Sequence, residues 1–179
     1  GPSLPRPISH GSLVATPWSL YFLAGWVQDG GSPQVLKLNP TNTAWVPDTP
    51  LPEPRVAGAA ALDGSQIIYA GGTRKGPQPA DNVWALRDGA WVEIGKLQTP
   101  RQKLMAAGNG VDTIWILGGR NIQTNEKYGA IDVVNADGVT KSNRVLDPPI
   151  DSAAGIWVEG SGVCLVGGQT PNGGFSNWW

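Results

Sequence analysis

Four glycine marks recur along the chain, at Gly25-Trp26, Gly71-Gly72, Gly118-Gly119 and Gly167-Gly168, and each closes a short apolar run. The leading glycines are 46, 47 and 49 residues apart. A fixed period in that range belongs to architectures that stack one supersecondary unit many times, not to a single irregular fold. Of everything in the 179 residues, this period restricts the fold most.

What precedes each mark also recurs. The runs Leu20 to Ala24, Gln66 to Ala70, Thr113 to Leu117 and Gly162 to Val166 are rich in β-branched, aromatic and large aliphatic residues, so each reads as a buried strand. Farther upstream lies a Pro-Arg pair, Pro5-Arg6, Pro54-Arg55 and Pro100-Arg101, replaced in the last unit by Pro149-Ile150. A strand of small residues follows, Val56 to Ala61 in the second unit and Leu104 to Gly108 in the third, suited to a crowded place near an axis. Beyond the glycines a polar loop leads to a third strand, such as Asn82 to Leu86, and to a fourth that begins near Trp91. Between them Asp88-Gly89 supplies a hairpin turn.

With these features together the chain resembles the kelch repeat, whose four-stranded units are the blades of a β-propeller. The matching residues are Arg6, Arg55 and Arg101, the small-residue strand, the glycine pair, and the aromatic pair best seen as Trp84 and Trp91. There are departures: Trp26 stands where the first unit should have its second glycine, Thr140 where the third should have its Trp, and the fourth has no Arg. The resemblance implies an all-β class, a kelch-like β-propeller arc of four-stranded antiparallel blades. It covers one domain, 1–179, with units of roughly 5–53, 54–99, 100–147 and an incomplete 148–179.

First and second strands are expected four times but third and fourth strands only three times, at about 34–38 with 44–47, 82–86 with 90–94, and 130–135 with 138–142. Asn177-Trp178-Trp179 aligns with Asn82-Val83-Trp84, the start of a third strand. Propellers usually have four to eight blades. Three arrangements satisfy the count: part of a longer propeller, two arcs that complete one ring by self-association, or a four-bladed ring with a defective last blade.

Composition narrows the chemistry. With a net charge of −1 and no basic run longer than Arg74-Lys75, a nucleic-acid footprint is not expected. No run reaches the ~20 apolar residues that a membrane-spanning helix needs. His10 is the only histidine, so neither a multi-histidine metal site nor a Ser-His-Asp arrangement can be assembled without it. Gly108-Asn109-Gly110 and Asn172-Gly173-Gly174 lack the Lys-Ser/Thr of a phosphate loop and read as turns. Cys164, the one cysteine, reads as a small buried hydrophobe. No catalytic residue, metal or cofactor is expected. Among kelch-type enzymes, only a sialic acid mutarotase-like sugar site, which needs no metal, is compatible with these residues.

The resemblance also implies a face of loops. The segments entering the first strands and those leaving the glycines emerge on one side, which gathers Arg6, Arg55 and Arg101 with Trp26, Gln28, Arg74, Lys75, Arg120, Asn121 and Gln169. Arginine forks and an aromatic plane suit a carboxylate-bearing ligand, an acidic peptide or an acidic sugar. The motif arginines have an alternative role, holding backbone carbonyls between blades. Arg74, Lys75, Arg120 and Asn121 differ from unit to unit and are the freer candidates. The expected function is therefore a non-catalytic binding or scaffolding module for a protein partner, either a second copy or the remainder of the propeller.

Overall fold

The computed structural model describes residues 1–76 and 78–173, and the proposed third strand at Asn177-Trp178-Trp179 lies outside them. Strands and turns make up the described residues, and no helix occurs among them. Three four-stranded antiparallel sheets follow one another along the chain. The first is Ser12–Ala15, Leu20–Leu23, Val35–Leu38 and Trp45–Asp48; the second Ala59–Asp63, Gln66–Ala70, Asn82–Arg87 and Ala90–Lys96; the third Met105–Gly108, Ile114–Leu117, Ile131–Asn135 and Gly138–Lys141. A longer hairpin, Asp151–Val158 with Gly162–Gln169, forms the fourth sheet. In each four-stranded sheet the strands pair in chain order, an up-and-down meander.

The sheets stack face to face in sequence. Three apolar clusters hold them: Leu23, Val35, Tyr69 and Trp84 between the first and second, Ile68, Val83, Ile114 and Val134 between the second and third, and Leu117, Ile131, Ile150 and Leu165 between the third and fourth. Each interior sheet therefore buries both faces, and full burial of a side chain such as Ile68 contributes about 2 kcal/mol. First strands of neighbouring units lie side by side, where their small residues permit close approach. The arrangement is compatible with a propeller-like arc, and it is not a closed barrel.

Two main-chain hydrogen bonds repeat between neighbouring units. Gly25, Gly72 and Gly119 donate to the carbonyls of Arg55, Arg101 and Ile150 at 3.0, 2.9 and 2.8 Å. Ala57, Lys103 and Ser152 donate to His10, Ala57 and Lys103 at 2.9, 2.7 and 3.0 Å, so one residue per unit hands a bond to the next. All four of these residues are left-handed, with φ of 56°, 55°, 54° and 58°.

These bonds correct the alignment of the first unit. Gly25 (φ 106°) behaves as Gly72, Gly119 and Gly168 do, at 90°, 98° and 93°, while Ala24 (φ 60°) takes the place of Gly71 and Gly118, at 62° and 57°. A Cβ on Gly72 would lie 2.8 Å from the Val56 carbonyl oxygen, and one on Gly25 2.8 Å from that of Ser9, so this second position must stay bare in the first unit as in the second. Trp26 therefore does not replace a glycine. It pairs with Ser9 as Thr73 pairs with Val56, Arg120 with Gln102 and Gln169 with Asp151. By the same pairing Ile8, not Arg6, holds the place of Arg55 and Arg101, as Ile150 does in the fourth unit.

Candidate functional site

The two arginines that do occupy the motif position are interior groups. Arg101 is fully buried, and its Nε donates to the Gly118 carbonyl at 2.7 Å, its Nη2 to Asp132 Oδ2 at 2.7 Å and to the Ile116 carbonyl at 3.3 Å. Burial lowers its pKa from the ordinary value, and the Asp132 carboxylate opposes that shift. Asp132 also accepts from the Gln98 amide at 3.1 Å, so the pair ties the entry to the third unit onto its second and third strands.

Arg55 is equally buried, but its partners are different. It donates to Glu53 Oε1 at 2.6 Å and Asn82 Oδ1 at 2.9 Å, and its guanidinium lies 4.5 Å from the centre of the Trp84 ring. Trp84 in turn stacks on Tyr69, whose hydroxyl burial pushes up in pKa. The Arg55 hydrogen bond holds the Glu53 carboxyl below its ordinary range, against the effect of its partial burial. Arg55 and Arg101 thus bind protein groups between strands, and neither presents its guanidinium to solvent.

The other expected site residues divide into three places. Arg6 is exposed at the edge of the first unit, with Nη2 on Gln34 Oε1 at 2.8 Å. It lines a concavity with Ile8, Ser9, Trp26, Gln28 and Asp29. A second cavity, of about 440 Å³, is lined by Trp26, Asp29, Val56, Thr73, Arg74, Lys75, Gln102 and Ile122, among others. Trp26 is 53% exposed and, with Asp29, lines both hollows. Arg120, Asn121 and Gln169 stand apart from both: Arg120 donates to Asn125 at 2.7 Å, Asn121 accepts from the Gln123 amide at 2.7 Å, and Gln169 ends the fourth sheet.

The 440 Å³ cavity is one of two hollows in which three of the expected residues meet, Trp26, Arg74 and Lys75 here and Arg6, Trp26 and Gln28 in the other. Its floor is built by the repeat: Val56 pairs with Thr73, and Thr73 Oγ1 donates to Gln102 Oε1 at 2.6 Å, which locks the loops of two units together. Arg74 leans on the second unit's polar network, donating to Asn82, with Nε 3.3 Å from Glu53 Oε1, near enough for an ion pair but not aligned for a hydrogen bond. Lys75 is exposed and forms no ion pair among the described residues. The wall is thus an indole face and aliphatic surface, with a free ammonium and a half-exposed guanidinium at the rim. Such a hollow receives a planar or aliphatic body that carries an anionic group.

Sequence reasoning missed Asp29, Thr73, Gln102 and Ile122. Counting back from Gly25 as a second glycine would have found their register, because Ile8, Arg55, Arg101 and Ile150 then stand 17, 17, 18 and 18 residues before Gly25, Gly72, Gly119 and Gly168. Cys164 is half-buried and not enclosed as expected. No group of three or more His, Cys, Asp or Glu side chains gathers as metal ligands do among the described residues, and no helix there is long and apolar enough to cross a membrane. No protein-family model matches the chain, and no curated protein matches it.

Proposed function

We propose that the chain is an arc of a kelch-like β-propeller that binds an acidic segment of a partner protein on its loop face. The observation that carries this reading is the convergence of Trp26, Arg74 and Lys75 on one 440 Å³ hollow. Glycines and first strands fix the scaffold, so the residues after each glycine pair are free to differ, and these are the residues that build the hollow. An aromatic or aliphatic side chain of the partner stacks on Trp26 while a neighbouring carboxylate reaches Lys75 and the outer edge of Arg74. Arg74 is already held by Asn82 and Glu53, which presents its remaining donors at little entropic cost.

The test is calorimetric titration with a blocked nonapeptide carrying one Tyr flanked by Glu and Asp, with free sialic acid as the comparison ligand. Binding in the micromolar to millimolar range is expected, weakening as salt rises. Lys75→Glu and Trp26→Ala, both at exposed positions, should each weaken it at least fivefold. An unchanged affinity in both variants refutes the assignment. Binding of sialic acid alone, with the same dependence on Trp26 and Lys75, replaces the protein partner with an acidic sugar.

A further inference from the structure

The two hollows on the loop face, of about 480 and 440 Å³, share a short hairpin, Trp26–Val27 with Gly30–Gly31, whose turn is Gln28-Asp29. The cross-strand neighbour of Trp26 is Gly31, which has no side chain to lay over the indole. The ring therefore stays half-exposed where both hollows meet it, with the Asp29 carboxylate as the other wall they have in common.

Three charges on these walls are unanswered. Arg6 lines the larger hollow and donates only to neutral partners, Gln34 Oε1 at 2.8 Å and Ser32 Oγ at 3.4 Å. Lys75 lines the smaller one, and Asp29 lines both; each is exposed, and neither forms an ion pair among the described residues. Arg74 is different, since Glu53 lies 3.3 Å from its Nε. The unspent charges thus run cation, acid, cation, with the acid beside the indole.

Resting on the use of this face proposed above, we infer that the partner segment is charged in the complementary order, acid, base, acid, and that its central residue is an arginine whose stem lies along the Trp26 ring with the guanidinium against Asp29. A neutral residue at the centre gains the ring alone, and an acid there is repelled by Asp29. Arginine gains the ring and the carboxylate together, and its aliphatic stem supplies the apolar body that the hollow receives. Alternate residues of an extended segment share a face, so the two acids stand two positions before and two after the arginine, one toward Lys75 and the other toward Arg6. Such a segment keeps a net negative charge.

Calorimetric titration of the whole chain with three blocked peptides is the test: Glu-Gly-Arg-Gly-Glu, the same peptide with citrulline for arginine, which keeps the shape and removes the charge, and the rearranged Arg-Gly-Glu-Gly-Glu. The first should bind at least fivefold more tightly than either of the others. Asp29→Asn, at an exposed turn position, should abolish the advantage of arginine over citrulline and leave the affinity for the citrulline peptide unchanged. Arg6→Gln should weaken the first peptide at least threefold. Equal affinity for the first peptide and either control, or indifference to Asp29→Asn or to Arg6→Gln, overturns the charge order. If binding in that case is still weakened by Lys75→Glu, the face remains a site for an acidic segment whose centre is not read. Failure of all three peptides to bind overturns both.

Discussion

Replacing Arg101 with Met removes a charge from one of the most enclosed places in the chain and keeps most of the side-chain volume. The substitution strands Asp132, 1% exposed, with the Gln98 main-chain amide as its remaining hydrogen-bond donor, and it takes a donor from the Gly118 and Ile116 carbonyls. Removing one member of a buried pair costs about 3–5 kcal/mol, chiefly through the charge left behind. The donors lost to the two carbonyls place Arg101→Met near the middle of that range, at about 4 kcal/mol. With a urea m-value of about 2 kcal/mol/M, the unfolding midpoint should fall by about 2 M with the slope unchanged. Asp132→Asn should be costly for the mirror reason, leaving the guanidinium without its counter-charge. The double variant is the decisive measurement: it should cost about 2 kcal/mol or more less than the sum of the singles, because neither charge is then stranded. Urea unfolding followed by tryptophan fluorescence reads all three proteins. A loss below about 1 kcal/mol for Arg101→Met, or strict additivity in the double variant, would refute the reasoning.

Two further outcomes follow from the loop network and the repeat. Glu53 is held below its ordinary pKa by Arg55, so its contribution is fully present above about pH 4.5 and fades as pH falls through its folded value. The stability gap between the native protein and Glu53→Gln should therefore be open at neutral pH and close in acid, and a gap that widens in acid would contradict the assignment; with Glu53 39% exposed, solvent screening keeps the gap modest. Gly25→Ala should cost more than about 3 kcal/mol, because its Cβ would lie 2.6 Å from Ile8 Cγ2 and 2.8 Å from the Ser9 oxygen, whereas Ala24→Gly relieves a left-handed alanine and should change stability by less than about 1 kcal/mol. Thermal melts that show the reverse order would restore Trp26 to a glycine's place.

Much of the fold was legible because main-chain constraints recur at a fixed period. Strands expected at 82–86 and 90–94 are found at Asn82–Arg87 and Ala90–Lys96, and those expected at 130–135 and 138–142 at Ile131–Asn135 and Gly138–Lys141. The first unit misled because Pro5-Arg6 copies the dipeptide of the later units two residues out of phase. The pairing of Ser9 with Trp26 exposes the slip, which the dipeptide by itself conceals. The candidate site was legible in its variable members, Trp26, Arg74 and Lys75. Its buried members were not, since Gln102 faces the hollow through a bond to Thr73, 29 residues away in the chain.

The bond passed from His10 to Ala57, Lys103 and Ser152 is made wholly of peptide groups. A histidine, an alanine, a lysine and a serine make it equally well, so the joint between neighbours recognises geometry and is blind to identity. A unit copied or transplanted from elsewhere in such a chain would find its place without evolving a new side-chain contact there. Duplication can then lengthen the array, and drift can rewrite its loops, while the joint stays the same.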